Sequence, residues 1–342
     1  MYSRQEYEIK LLHANLSDAR WVEVFTFRQQ YAQQTNTVLT FASWQALKEQ
    51  YVAYLNLGHK IGLVRKQEEA AGILLFYRRR NLGDSFVFLQ YDSVDSYLNQ
   101  ALLGQIFESF RANWSCAKFL VITSTNQQND YLEKALSLEV SEHRELFELQ
   151  LDQVNKARLE AWSVAEQEDQ FTVVTESELP HALMHEFYAL ISKLTESVEY
   201  KSRLFDGGML SPEKIKLRHQ GYKRKGTTYL ALLLARKGEL IGYTEILIEA
   251  GTPHVAHQNM TGVKKAYRGR GLGKRLKALM IQRLLQEYPD ISLIKTAVHI
   301  KNAPSQRLNR QLGFQAVGVY KEYVISKECI ADYLRDSRFA TQ

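Results

Sequence analysis

Residues 267–277 read Tyr-Arg-Gly-Arg-Gly-Leu-Gly-Lys-Arg-Leu-Lys, five basic side chains and three glycines in eleven positions. Such a stretch suits either a nucleic acid or the phosphates of a small cofactor, and its spacing separates the two. Gly269-Arg-Gly271-Leu-Gly273 offers G-x-G-x-G, but Lys274 stands where the dinucleotide fingerprint needs its last glycine. The acidic residue that fingerprint requires after a second strand is also missing. A Walker loop fails for want of G-K-[ST]. An arginine-glycine RNA segment would be repetitive, whereas this one lies between a strand pattern and an amphipathic helix pattern. What remains is R-x-x-G-x-G opening a helix. Glycines let the backbone turn tightly and approach a ligand with no Cβ in the way. The N–H groups of the first helical turn and the helix dipole then favour negative charge. Arg268, Arg270, Lys274 and Arg275 add mobile positive charge around that nest. The geometry suits a pyrophosphate, and a solvated basic helix start is the alternative.

A second candidate is Glu245, a carboxylate in mid-strand on the face shared by Tyr243 and Leu247. Desolvation there would raise its pKa toward a value useful to a general base. Pairing with a nearby Lys or Arg is the alternative. His254, His257 and His299 have no third ligand in a recognisable place, so surface or packing roles are expected and no metal. The two cysteines, Cys116 and Cys329, lack ligand-like spacing and point to a reducing compartment.

The elements that position these residues follow from periodicity. Thr228–Arg236 reads as a strand ending at the Lys237-Gly238 turn, and Ile241–Glu249 completes a hairpin. Leu272, Leu276, Leu279, Met280 and Leu284 recur at helical spacing until Tyr288-Pro289-Asp290 stops the helix. Ser292–Ile300 is the next strand. Strands alternating with helices, and hairpins at the ends, predict a mixed α/β sheet.

The same plan occurs twice. Leu120–Ser124 sets against Thr296–Ile300, Asn126 against Asn302, Leu136 against Leu312 and Phe147 against Tyr323, all in one register. Upstream, Gly72-Ile-Leu-Leu-Phe-Tyr sets against Gly242-Tyr-Thr-Glu-Ile-Leu, which places Leu75 opposite Glu245. Duplication followed by divergence predicts two domains, 1–155 and 165–342, joined within Asp152–Glu168. Composition agrees with a soluble globular protein: 45 % apolar, 24 % charged, net charge +6. The start is charged where a signal peptide would be apolar, and the longest apolar run, Tyr229–Ala235, is strand-sized. A cytoplasmic location without membrane contact is expected.

Val263-Lys-Lys-Ala-Tyr-Arg268-Gly-Arg-Gly271-Leu-Gly273 resembles the acetyl-CoA-binding signature of the GCN5-related N-acetyltransferases. Asn302-Ala-Pro, followed by Leu312-Gly313-Phe314, resembles the later part of that signature, and the match spans roughly Thr228–Ser326. Thr261-Gly262-Val263 and Asn309-Arg-Gln-Leu-Gly-Phe resemble a tandem-domain branch. The resemblance implies two tandem domains of that α/β fold, the second catalytic, transferring acetyl from acetyl-CoA to a primary amine of a small molecule or peptide. Transfer would be by direct attack in a ternary complex, since neither cysteine has a partner His near the motif. It implies a strand splayed before the glycine loop, with Thr261, Gly262 and Val263 offering backbone groups to the pantetheine arm. The Val263 N–H would polarise the thioester carbonyl. Arg268, Gly269, Arg270, Gly271, Leu272, Gly273 and Lys274 would hold the pyrophosphate, and Asn302 would lie beside the arm. Glu245 would act as base.

This chain departs from the family at Asn309, where many members have the tyrosine that protonates the departing thiolate. Tyr320, Tyr267 and His257 are possible replacements. That departure keeps a non-catalytic acyl-CoA-binding module in play. A nucleic-acid binder using Lys264–Lys277 would leave the glycine spacing unexplained. In the first half, Asp92-Ser-Val-Asp-Ser-Tyr-Leu replaces the glycine loop and should repel a pyrophosphate, leaving a wall or lid for the substrate cleft, or a purely architectural domain. In Glu196–Lys225, Asp206-Gly-Gly-Met would permit loop movement over an acceptor, and Ser211-Pro-Glu-Lys reads as a helix start ahead of a basic run.

Overall fold

The computed structural model describes residues 7–34, 43–66, 69–78, 85–93, 100–124, 130–164, 171–175, 183–196, 211–224 and 226–339. Asn126, residues 94–98 of the first-half loop, Glu199, the Asp206-Gly-Gly-Met stretch and Lys225 lie outside the described residues. No helix among the described residues is long and apolar enough to cross a membrane.

In chain order the first repeat comprises β1 (Tyr7–Leu11), α1 (Asp18–Gln34), α2 (Trp44–Asn56), β2 (Lys60–Lys66), β3 (Glu69–Tyr77), β4 (Phe86–Ser93), α3 (Gln100–Asn113), β5 (Phe119–Ser124), α4 (Asp130–Leu136) and β6 (Val140–Gln150). A short helix, α5 (Lys156–Ser163), follows. The second repeat comprises β7 (Phe171–Thr175), α6 (Met184–Glu196), α7 (Pro212–Arg224), β8 (Thr228–Arg236), β9 (Glu239–Ile248), β10 (Val255–Val263), α8 (Leu272–Glu287), β11 (Leu293–His299), α9 (Ala303–Leu312) and β12 (Gln315–Ser326), and α10 (Lys327–Phe339) ends the described chain. The two repeats thus run through the same ten elements in the same order, as the shared register predicts.

The compact units are not the two repeats. One unit is Met1–His143 with Val319–Gln342, and the other is Arg144–Gly318. The expected boundaries at 155 and 165 are therefore replaced by an exchange of last strands. In the first unit β1, β2, β3 and β4 pair antiparallel in sequence, β4 pairs parallel with β5, and β5 pairs antiparallel with Lys321–Ser326 of β12. In the second unit, Arg144–Gln150 of β6 pairs antiparallel with β11, β11 pairs parallel with β10, and β10, β9, β8 and β7 continue antiparallel.

Side-chain alternation gives each last strand one apolar face, which it buries in the core of the sheet it completes. Phe147, Leu149 and Leu151 enter the core of the second unit, packed with Leu234, Ile294 and the buried stripe of α8, Leu272, Leu276, Met280, Ile281 and Leu284. Tyr323 and Ile325 enter the core of the first unit beside Leu120, Ile122 and the buried stripe of α3. A Lys295–Glu148 ion pair at 2.7 Å adds a cross-strand contact between β11 and β6.

Gly242 and Gly72, aligned between the repeats, are both closely packed. A Cβ on Gly242 would stand 2.9 Å from the Gly262 carbonyl oxygen, and one on Gly72 would stand 2.6 Å from the Tyr91 ring. The β9–β10 contact can form only without a side chain at Gly242. Gly242→Ala should therefore lower stability by about 1–3 kcal/mol, the usual range for overpacking. Urea unfolding checks this, and an unchanged midpoint would contradict it.

Candidate functional site

The site grows from an opening in the sheet of the second unit. β10 pairs with β11 only through Val255, Ala256 and His257, opposite Leu293, Ile294 and Lys295. β10 then runs on to Val263 along β9 alone, with a register shift between Gln258 and Thr261. Buried polar groups hold the shift. Gln258 Nε2 donates to Thr244 Oγ1 and to the Glu245 carbonyl, each at 3.0 Å, and the hydroxyls of Thr244 and Thr261 lie 2.7 Å apart. Thr296 Oγ1 reaches from β11 to the Gln258 carbonyl at 2.9 Å.

Past the shift, the Lys264 N–H donates to the Ile241 carbonyl at 2.8 Å. Main-chain groups alternate direction along an antiparallel pair, so those of Val263 and Thr261 turn away from β9 toward the opening. The Val263 carbonyl accepts from Arg268 Nε at 3.0 Å. Its N–H is left aimed into the gap between β10 and β11.

A single 3-10 turn, Lys265–Tyr267, leads out of β10 into the glycine stretch. Lys264 and Tyr267 brace it on Glu239, at 2.6 and 3.3 Å. Gly269 and Gly271 have φ of 82° and 71°, left-handed values that side chains resist. The first bond of α8 runs from the Arg275 N–H to the Gly271 carbonyl at 3.0 Å. The N–H groups of Leu272, Gly273 and Lys274 precede it and have no acceptor within the helix. Gly273 needs no special φ, and a Cβ there would meet nothing within 4 Å. Packing does not require that glycine, and its bare Cα leaves the first turn of the helix open to close approach. Gly269, Arg270 and Gly271 are exposed, and Leu272 beneath them is buried.

The basic side chains are less mobile than expected. Arg268 is tied to Val263, Arg275 Nε donates to the Ser163 carbonyl at 3.2 Å, and Lys274 lies 4.9 Å from the Trp162 ring. Arg270 stands 6.0 Å from the Tyr267 ring. The turn is thus an exposed, positively charged concavity with preset N–H donors. These residues fit the diphosphate of coenzyme A, and the gap beside Val263 fits its pantetheine arm.

Glu245 is 3 % exposed. Its Oε2 accepts from the Tyr229 hydroxyl at 3.0 Å and lies 3.8 Å from Arg218 Nη2. Burial holds its pKa above the usual carboxylate range, against the opposing pull of Arg218, Tyr229, the Met260 amide and the Asn259 side chain. Bonds from Asn259 and Met260 set the carboxyl against the register shift of β10, so the structure brings Glu245 together with the opening. Sequence reading missed Arg218, His219, Tyr229, Asn259 and Met260. Ile215, His219 and Tyr222 recur at helical spacing, and that was the available sign that α7 has an inward face carrying Arg218.

The remaining expected residues are more scattered. Asn302 caps α9, its Oδ1 accepting from the Ser305 N–H at 3.3 Å. Tyr320 belongs to the first unit, where its hydroxyl donates to Glu322. His257 is half-buried, and burial lowers its pKa. Among the described residues, no group of three His, Cys, Asp or Glu could hold a metal ion. Asn309 is fully buried and accepts from Lys277 Nζ at 2.7 Å. The position of the missing tyrosine is therefore occupied by the partner of a buried lysine.

Burial pushes the Lys277 pKa down to about 8 from an ordinary 10.5. The unfolded chain binds that proton more tightly, so stability should rise with pH between those values, by roughly 3 kcal/mol in all. In Lys277→Met that rise should be absent. Urea midpoints of both proteins at intervals from pH 8 to 10.5 test it, and parallel trends would contradict it.

Residues 197–314 match the model of the acetyltransferase (GNAT) family. No curated protein sequence matches the chain. Among solved structures, a tandem GNAT protein from the clavulanic acid biosynthesis pathway superposes with a TM-score of 0.64 at 18 % identity, over 94 % of this chain and 99 % of its own. A GCN5-related N-acetyltransferase from Sphaerobacter thermophilus gives 0.62 at 12 % identity, over 94 % and 96 %. A GNAT-family acetyltransferase from Colwellia psychrerythraea gives 0.51 at 10 % identity, over 92 % and 99 %. At these identities the structures establish the fold, and the family model coincides with the motifs of the second repeat. Residues 197–314 thus carry a domain that matches the GNAT family of acyl-CoA-dependent acyltransferases, and the chain has the fold of two such domains in tandem.

Proposed function

We propose that the second unit transfers an acetyl group from acetyl-CoA to a primary amine by direct attack in a ternary complex. One observation carries the reading: main-chain groups of Thr261 and Val263 face the gap between β10 and β11, with the Val263 N–H nearer the glycine turn. An exposed helix start lies beyond it and a buried carboxylate beside it. Acetyl-CoA, when bound, supplies the acyl group as an activated thioester.

The N–H groups of Leu272, Gly273 and Lys274 hold the diphosphate, with Arg268, Arg270 and Lys274 adding charge and Gly269, Gly271 and Gly273 leaving room. Main-chain groups of Thr261, Gly262 and Val263 line the arm, and Asn302 flanks it. The Val263 N–H donates to the carbonyl oxygen, where a fixed donor is worth about 3 kcal/mol as negative charge develops. Glu245 takes the proton that the amine must lose. Tyr320 is not assigned the proton of the departing thiolate, because its hydroxyl already serves Glu322. A thiolate leaves adequately and takes its proton from solvent. The unpaired cysteines favour the cytoplasm as the site of action.

A base must be ionised, and the raised pKa of Glu245 moves the acid limb of the rate profile above the usual carboxylate range. Glu245→Gln should remove that limb and lower kcat by about 10²–10⁴. Release of free thiol from acetyl-CoA, followed across pH with a panel of amines, measures both. An unchanged profile would remove Glu245 from the mechanism. Binding of acetyl-CoA without thiol release from any amine would leave a non-catalytic acyl-CoA-binding module.

Gly273→Val tests the diphosphate seat separately. Its Cβ meets no protein atom within 4 Å, so the melting temperature should hold while affinity for acetyl-CoA falls about tenfold or more through lost charge-assisted hydrogen bonds. Equal affinity would contradict the seat.

A further inference from the structure

Beside Glu245, three residues hold buried polar atoms that the protein itself leaves unsatisfied. α7 starts at a Ser211 cap, whose Oγ accepts from the Lys214 N–H at 3.3 Å, and buries Ile215. One turn on, Arg218 and His219 enter the same interior. Arg218 Nε and Nη2 are both buried without a hydrogen-bond partner among the described residues. Glu245 Oε2 is 3.8 Å from Nη2, beyond hydrogen-bond reach. Both ring nitrogens of His219 and the hydroxyl of Tyr243 are likewise buried and have no partner among the described residues.

The surroundings are aromatic. His219 lies 4.2 Å from Tyr229, 6.1 Å from Tyr222 and 6.1 Å from Phe187 between ring centroids. Burial pushes the His219 pKa down to about 4, so at neutral pH the ring offers one donor and one acceptor and no charge. Leaving a charged donor buried and unmet costs more than leaving a neutral one, about 1–3 kcal/mol or above for each group. A cluster of such groups around one carboxylate is the signature of a polar ligand's seat rather than of a finished core.

The chemistry of the orphan groups names the ligand. Nε and Nη2 form the edge of a guanidinium whose two parallel N–H bonds match the two oxygens of a carboxylate. Glu245 supplies negative charge within a few ångströms, which suits an ammonium and disfavours a dianion such as phosphate. A molecule carrying both charges close together answers both side chains. We infer that the acceptor is an amino carboxylate of amino-acid type, its acid group on the inner edge of Arg218 and its amine toward Glu245. His219 and Tyr243 complete the polar contacts, and the rings of Tyr222 and Tyr229 form the wall for the rest of the molecule. The direction of the amine rests on the acetyl-transfer reading, whereas the affinity for the acid group does not.

The test compares acids with their decarboxylated counterparts on the full chain: L-phenylalanine against phenethylamine, L-leucine against isopentylamine, and L-alanine against ethylamine. Binding is measured by calorimetry and acetylation by thiol release. The acids should bind at least about tenfold more tightly than the amines, the scale of a bidentate charged pair. Arg218→Met should abolish that preference, and Arg218→Lys, which keeps charge but not the fork, should restore only part of it. The ratio of acid to amine within each variant cancels any effect that Arg218 exerts through Glu245. Melting temperatures identify a variant that fails to fold, and the lysine variant then carries the comparison. Absence of binding by every acid, equal binding of acids and amines, or a preference untouched by both substitutions would overturn the inference. Acetylation of amines without an acid preference would sink it and leave acetyl transfer standing. Arg218-dependent binding of acids with no acetylation would do the reverse.

Discussion

Everything in the second unit turns on the parting of β10 from β11 after three paired residues. An interior strand that loses a neighbour leaves main-chain donors and acceptors without their ladder, and buried groups of that kind must be answered. Here the answers are specific. The Lys264 N–H keeps the end of β10 on β9, the Gln258 amide and two threonine hydroxyls absorb the register shift, and Arg268 turns back to the Val263 carbonyl. What these bonds leave open is the Val263 N–H, a donor fixed in direction before any ligand arrives. Glu245 and the glycine turn are placed by the same strand, one at its register shift and one at its end.

The first unit shows what becomes of the plan when the opening is not kept. There β4 and β5 pair over five residues, Phe86–Gln90 with Phe119–Thr123, and the Thr123 hydroxyl closes on the Leu89 carbonyl. Asp92, at the end of β4, is held by Arg28 and Gln90, and Arg28 in turn donates to the Tyr51 hydroxyl at 2.9 Å. Leu75 stands where the second repeat has Glu245. Asp92 is satisfied within the protein, in contrast to the orphan donors around Glu245. The two halves share the packing pattern, and the glycine turn and the buried carboxylate stand in the second.

Much of this was legible in the residues. The strand Thr228–Arg236, the helix stop before Pro289 and the shared order of elements follow from local periodicity and turn chemistry, which short-range forces decide. The glycine turn was legible because left-handed φ and an uncapped helix start have few other uses. The strand exchange was not. Alternation in β6 and β12 says that each has one apolar face, and both cores accept a strand of that kind, so the partner is a tertiary choice. Arg218 was hidden in a basic run, since charge alone does not tell a solvated face from an inward one. Asn309 read as a lost acid, and only the packing of α8 against α9 reveals the lysine that it serves.

The most direct measurement is amide hydrogen exchange on the intact chain, with and without saturating acetyl-CoA. A diphosphate seated on the glycine turn and an arm lying along β10 predict slowed exchange at Val263 and at Leu272–Lys274, groups that have no partner in the ladder or in the helix. Saturation of the protein with those amides exchanging at their original rates, and protection appearing elsewhere, would contradict the account.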